Sequence, residues 1–344
     1  MKEPAGQQAA RVTPGPSDAA TVVLARAAMH TRFELLLHGS DPVALRAAGE
    51  QALDEIERLE AQLSLYRPTS EIAHVNRYAS DRAVPVSPNV FRLLEQAAEL
   101  SRATGGAFDP TIGPLVWCWG FMEGDGCRPD ADAVATARAS VGMERVELDG
   151  AKFTVRFRRP GMMLDLGAIG KGYAIDQAVE VLREAGVESA FLHGGTSSSY
   201  GLGRPPDAPV WKAAIRDPFA PVAAGAKASQ RCASSPDHDS NLLAEIALTD
   251  VSLGVSGIWS KSFVEGNRTF GHVIDSRNGE PVQGACLAAV VLPSATEADA
   301  LSTALLVLGA EGVEVLKRLR PNGRLLLAEL TEGSATLQLR SRGM

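Results

Sequence analysis

Apolar side chains recur at Leu45, Ala48, Ala52, Ile56, Leu59 and Leu63, the three-and-four spacing that lines one face of an α-helix. Asp41 and Pro42 stand just ahead of that stripe, an N-capping carboxylate followed by a proline at the first helical position. Together they predict a helix over 42–63. A second stripe, Val90, Leu93, Leu94, Ala97 and Leu100, opens at Ser87-Pro88 and stops at Gly105-Gly106. A third predicts a helix over 171–185, with Ala174, Ile175, Ala178, Val179 and Leu182 inward and Gly186 past its end. A fourth covers 297–308 and is closed by Gly309.

Between these stripes the period changes. "RFELLLHG" (32–39), "SAFLHGG" (189–195), "VSLGVSG" (251–257) and "GHVIDS" (271–276) read as strands, and "LAAVVLP" (287–293) as a fully buried one. Residues 146–167 read as strand, turn and strand around Asp149-Gly150, and 64–77 as a loop with a short turn. Helices and strands mix without strict βαβ alternation, so the fold class is α+β, one large domain or two closely joined subdomains. A disordered tail is expected over 1–28, then one domain over 29–340 with a proline-rich surface excursion near 203–240.

Composition narrows the classes of partner. The chain has 344 residues, 45% of them apolar, enough to bury a substantial core. Lys+Arg 34 against Asp+Glu 41 leaves a formal charge of −7, which disfavours nucleic acid as a partner. Any anionic ligand then needs a local cluster of donors. The four cysteines form no CxxC pair, which suits a reducing compartment. No stretch approaches the roughly 20 apolar residues that span a bilayer. Neither a signal-like apolar run nor a lipid-attached cysteine is visible, so a cytoplasmic location without a membrane span is expected.

Four stretches carry candidate chemistry. "LDLGAIGKGYAID" (164–176) sets Gly167, Ala168, Gly170 and Gly172 around Lys171. It is neither a P-loop nor a dinucleotide fingerprint, because its glycines are spaced GxxGxG. It is either a tight strand-to-helix connection or an anion-binding cradle with Asp165 and Lys171 as opposite charges at the rim. In "TGGAFDPTIGPLVWCWGF" (104–121), Asp109 either caps a turn or belongs to a pocket wall. "GHVIDSRNGEPV" (271–282) brings His272, Asp275 and Arg277 to a strand end and its turn; Arg277 can hold an anion through two donors, whereas Asp275 and Asn278 also suit plain turn chemistry. In "TEADALSTALLVLG" (296–309), Asp299 and Thr303 stack one turn apart. Either Thr296 is an N-cap with Asp299 three residues on, or the pair offers oxygens to a hard cation.

Taken in series, "MHT" (29–31), "SLYRPTSEIAHVN" (64–76), "GGAFDPTIGPLVWCWGF" (105–121), "DLGAIGKGYAID" (165–176), "HGG" (193–195), "SG" (256–257), "HVIDSRNGEP" (272–281) and "DALSTALLVLG" (299–309) resemble the FAD:protein FMN transferase (ApbE) family. The resemblance implies an ApbE-like (T-fold-like) arrangement of mixed sheets with packed helices. It also implies an Mg²⁺-dependent enzyme that splits FAD, attaches FMN by a phosphoester to a Thr or Ser of an acceptor flavoprotein subunit of a redox complex, and releases AMP. On that likeness Met29, Tyr66, Ala107, Phe108 and Asp109 line the FAD site and Asp165 touches the cofactor, with Lys171 and Arg277 as further binding residues. The Ala168 carbonyl, Asp299 and Thr303 hold the metal, and His272 is the base or phosphate-positioning group.

Departures from the family pattern are local. His30 stands where the family has Gly, and is either surface decoration or a new group in the pocket. Thr196 follows the Gly pair in place of Asp or Asn, Ile258-Trp259-Ser260 replaces Asp-Tyr-Glu, and Asp275-Ser276-Arg277-Asn278-Gly279 replaces DPRTG. The changes at Thr196 and Ile258 leave open a paralogue that binds FAD, or hydrolyses it, without a protein acceptor.

Overall fold

The structure, a computed structural model, describes residues 12–14, 19–219, 242–258, 261–266, 268–330 and 337–344. In chain order it runs β1 (Val12–Pro14), β2 (Ala20–Ala28), β3 (Thr31–Gly39), α1 (Pro42–Leu63), α2 (Glu71–Tyr78), β4 (Val84–Pro85), α3 (Pro88–Ala103), α4 (Gly113–Cys118) and α5 (Ala131–Ala139). Then come β5 (Val146–Asp149), β6 (Thr154–Phe157), α6 (Gly170–Glu184), β7 (Ser189–Gly194), β8 (Ser198–Leu202), β9 (Trp211–Arg216), β10 (Leu242–Leu248) and β11 (Val251–Gly257). The chain finishes with β12 (Ser262–Glu265), β13 (Arg268–Gly271), β14 (Ala285–Leu292), α7 (Ala295–Leu308), α8 (Ala310–Leu319), β15 (Arg324–Leu330) and β16 (Leu337–Arg342).

A nine-stranded sheet, ordered β1-β2-β3-β7-β8-β11-β14-β15-β16, organises the α+β fold, and its strand pairs are antiparallel. Helices α1, α3, α6 and α7 pack on one face with Phe33, Leu35, Leu37, Val290 and Leu327. Trp211, Ile215, Ile246 and Leu248 of the β9–β10 ribbon cover part of the other face, against Leu287, Ala289, Val291 and Leu326. Every residue of β14 is buried for this reason: its alternate side chains enter two different cores. That is why its sequence shows no polar alternation.

The helix stripes hold. Helix α1 is capped by Asp41, whose side chain accepts from the backbone of Val43 and Ala44, and α3 begins at Pro88. Residues 71–78 form a helix rather than a short turn, because the Ser70 hydroxyl accepts from Ala73 N–H. The expected disordered tail does not hold over residues 20–28. Ala20–Ala28 is a strand paired along its length with β3, and the alternating burial of Val22 and Leu24 explains why a modest apolar run suffices. The rest of the tail expectation, 1–11 and 15–18, and the part of the excursion over 220–241 lie outside the described residues. The described part of the excursion contains β9. His272 lies just beyond the end of β13 and Asp275 in a turn closed by the Ile274–Pro281 bridge, neither of them in a strand. Among the described residues no helix is long and apolar enough to cross a membrane.

Helices α6 and α7 are joined by an exchange of carboxylates. Asp176, from α6, accepts from Ala295 N–H (2.7 Å), Thr296 N–H (2.9 Å), the Thr296 hydroxyl (2.6 Å) and the Ser294 hydroxyl (2.8 Å), all at the start of α7. Asp299, from α7, accepts from Gly172 N–H at 3.0 Å in the first turn of α6. Each helix thus sets a negative charge on the positive end of the other. The axes approach closely because Gly172 has no side chain: a Cβ there would fall well inside contact with the Ala295 carbonyl and 2.8 Å from the Asp299 Cβ. On the sheet side Gly254 of β11 lies against the Ala298 carbonyl in the same way.

Two outcomes follow from this crossing. Asp176→Ala, which strips the donors at the head of α7 of their acceptor, should cost about 2 kcal/mol in urea unfolding. Gly172→Ala, which forces the helices apart, should cost about 3 kcal/mol in the same measurement.

Candidate functional site

The 164–176 stretch is a turn feeding α6. Asp165 Oδ1 accepts from Gly167 N–H at 2.8 Å, and the Asp165 N–H donates to the Pro110 carbonyl at 2.7 Å, which fastens this turn to the 104–112 loop. Lys171 folds back over the turn, donating from Nζ to the Gly167 carbonyl at 2.9 Å. The same Nζ lies 3.9 Å from Asp299 Oδ2. Backbone donors, a lysine and an acid therefore meet at the start of one helix.

Asp299 is 2% exposed, in the inward face of α7. The N-cap of α7 is Ser294, accepting from Glu297 N–H, so the reading of Thr296 as cap with Asp299 in the first turn is overturned. The helix begins two residues earlier and Asp299 turns inward. Its Oδ1 accepts from the Ser198 hydroxyl at 3.3 Å. One turn on, Thr303 Oγ1 lies 2.9 Å from Ser256 Oγ, which also lies 2.8 Å from Ser302 Oγ. Ala168 sits in the turn before α6, partly buried against the main core.

His272 follows β13, its N–H donating to the Lys261 carbonyl at 3.1 Å. Burial lowers its pKa below the usual 6.5, with the cationic charges of Lys171 and Lys261 acting in the same direction and a hydrogen bond to the Lys261 backbone opposing them. The imidazole is thus held neutral at neutral pH. Lys171 acts on both His272 and Asp299, which links two stretches far apart in sequence.

Beside α6 opens a cleft of about 110 Å³ whose walls include Met29, His30, Leu63, Tyr66, Asp165 and Lys171. Burial pushes the Asp165 carboxyl above its ordinary range, against the pull of the Gly167 N–H and the Lys171 charge. Tyr66 is half exposed. His30 is exposed and also borders the cleft, with its ring edge-on to Tyr66 at 5.2 Å.

Other expected residues are placed elsewhere. Ala107 and Phe108 are 3% and 2% exposed, packed in the core and not among the walls of this cleft. Asp109 accepts from Thr111 N–H and the Thr111 hydroxyl in its own turn and from the distant Met143 N–H, and burial raises its pKa. Arg277 does grip an anion through two donors, but that anion is Asp275 in its own turn, at 2.8 and 2.7 Å. Two contributors escaped the sequence reading. Ser198 had no signal. Asp176 had one: it lies four residues after Gly172 and three before Val179, an acid on the inward face of the helix.

Among the described residues no group of three or more His, Cys, Asp or Glu gathers as a metal centre. The expected donors, the Asp299 carboxylate, the Thr303 hydroxyl and the Ala168 carbonyl, are of a different kind, oxygen-only and with a single acid. That set fits a small hard cation that keeps part of its water shell. The buried Asp299 supports the fit: its oxygens accept from two neutral donors, and the nearest cation, Lys171, stands at 3.9 Å.

Known proteins resemble this chain along most of its length. The chain is 28% identical to a Klebsiella pneumoniae protein named FAD:protein FMN transferase, over 91% of this chain and 85% of that one. It is 30% identical to a protein of the same name from Treponema pallidum, over 83% of this chain and 81% of that one. The crystal structure of the ApbE protein of Thermotoga maritima superposes with a TM-score of 0.79 at 25% identity, covering 94% of this chain and 97% of that one. The family model described as "ApbE family" matches residues 29–326, most of the length, and the chain belongs to the ApbE family.

Proposed function

We propose that this protein cleaves FAD and transfers its FMN half through a phosphoester to a Thr or Ser of an acceptor flavoprotein, releasing AMP. The observation that carries this reading is the meeting of Asp299, Lys171 and the α6 N-terminus beside a cleft bordered by Tyr66, with a neutral His272 within reach of the Lys171 charge. A flavin nucleotide needs an apolar wall for its ring and a cationic, donor-rich end for its pyrophosphate, and the cleft offers both. The family relatives supply the name of the reaction.

The residues have distinct tasks. Asp165, reluctant to ionise, meets an anionic ligand with less repulsion than an ordinary carboxylate. Lys171 and the first N–H groups of α6 face the phosphates. His272, neutral, accepts the proton of the acceptor hydroxyl as its oxygen bonds to the FMN phosphorus. The bond from that phosphorus to the bridging oxygen breaks, and AMP departs with that oxygen. Asp299, Thr303 and the Ala168 carbonyl would hold Mg²⁺, which supplies charge neutralisation at the pyrophosphate when bound.

The direct test incubates the purified protein with FAD, Mg²⁺ and candidate acceptor proteins and reads the acceptor by mass spectrometry. A gain of the FMN mass is expected. FAD consumed to FMN and AMP with no gain marks a hydrolase, an outcome favoured if the altered Thr196 and Ile258 have lost acceptor recognition; intact FAD overturns catalysis altogether.

Asp299→Asn keeps an oxygen for the Gly172 N–H but loses the charge, so turnover should fall about 100-fold while stability drops by only about 1 kcal/mol. Equal turnover in the variant would remove the acid from the metal set. His272→Ala should lower kcat about 100-fold with the FAD Kd unchanged. Because burial lowers the His272 pKa, the base is lost only on acidification: kcat should be flat at neutral pH and fall below pH 6.5, the ordinary imidazole value. A limb centred above that pH in the wild-type profile contradicts the assignment.

A further inference from the structure

Strands β2 and β3 are joined by only two residues, Met29 and His30, and both have positive φ, 50° and 58°. A hairpin loop with two left-handed residues suits glycine or asparagine. Methionine and histidine adopt it at a cost, and nothing in closing a hairpin calls for either side chain. What the strained pair does share is a place in the cleft wall. The His30 ring meets the Tyr66 ring at 5.2 Å with 71° between their planes, so the two form a right-angled aromatic corner. Asp165, Gly167 and Lys171 form a polar, charged part of the same wall. The corner therefore offers one aromatic face, one aromatic edge and an imidazole nitrogen in the cleft that carries the charged groups.

We propose that His30 is a specificity-determining residue of this cleft, packing with Tyr66 around a planar heteroaromatic ring of the nucleotide whose phosphates face Lys171. This rests on the flavin-nucleotide reading above. A ring seated on one member of the corner meets the edge of the other, a geometry that aromatic quadrupoles favour. The strained hairpin fixes the position of His30 before the ligand arrives, so less freedom is lost on binding. Either ring system of FAD has the required shape, and separate ligands distinguish them.

The test compares wild type, His30→Gly and His30→Phe in EDTA, so that no turnover competes. FAD and FMN binding are read by flavin fluorescence, ADP binding by competition, and stability by thermal unfolding. His30→Gly relieves the left-handed backbone and should melt about 2 °C higher, yet bind FAD about 10-fold more weakly. The loss should be shared by only one of FMN or ADP, which identifies the ring. His30→Phe retains a ring and should keep FAD affinity within about threefold of wild type. If His30→Gly binds FAD as wild type does, His30 is only a strained turn residue and the inference fails. It fails also if His30→Phe binds as weakly as His30→Gly, or if FMN and ADP weaken equally. Wild-type protein that binds no FAD at all sinks the flavin reading itself, a separate result.

Discussion

Two carboxylates exchanged between neighbouring helices hold the site together. Asp176 takes the first backbone donors of α7, and Asp299 takes one from the first turn of α6. A helix start has unsatisfied N–H groups and a partial positive charge, so each acid finds a partner that is always present and always of the right sign. The exchange fixes the two helices in register along their axes as well as in distance. Glycine at 172 and at 254 allows α7 to sink between α6 and the sheet, and this brings a carboxylate nearly out of reach of water.

The chemistry is a consequence of that placement. Asp299 is a structural anion for α6, and one turn on Thr303 donates its hydroxyl to the Asp299 backbone carbonyl. Lys171, directly before the residue whose N–H Asp299 accepts, lies 3.9 Å from this acid and its charge also acts on His272. A small movement of α7 would therefore shift Asp299 against both Gly172 and Lys171. The hydroxyl cluster of Ser256, Ser302 and Thr303 restrains such movement from the sheet side.

Another part of the cleft wall is built on a different principle. There the β2–β3 turn holds two bulky residues in a backbone conformation that they do not favour, and their side chains form part of the wall. The sheet enforces the strain, since β2 is paired along its length with β3, and β3 in turn with β7. A stable scaffold supports an unfavourable local geometry where a ligand is expected.

Local signals in the chain sufficed for the elements that are decided locally. Helices 42–63 and 88–103 follow from their stripes and caps, because periodicity and capping act over a few residues. The order of motifs likewise pointed to the family before any fold was in hand. What proximity decides was not legible. Asp299 had two readings as a sequence, and only the packing of α7 on α6 made it an inward acid. Asp109 had a capping and a pocket reading, and the packing gave it Thr111 and Met143 as donors; Arg277 read as an anion holder and grips Asp275 of its own turn. Strand β2 read as tail because its few apolar residues acquire meaning only against β3 and α1. The sequence by itself determined which segments coil, extend and cap; the tertiary structure alone decided which charges meet, because a carboxylate's role depends on donors that lie more than a hundred residues away along the chain.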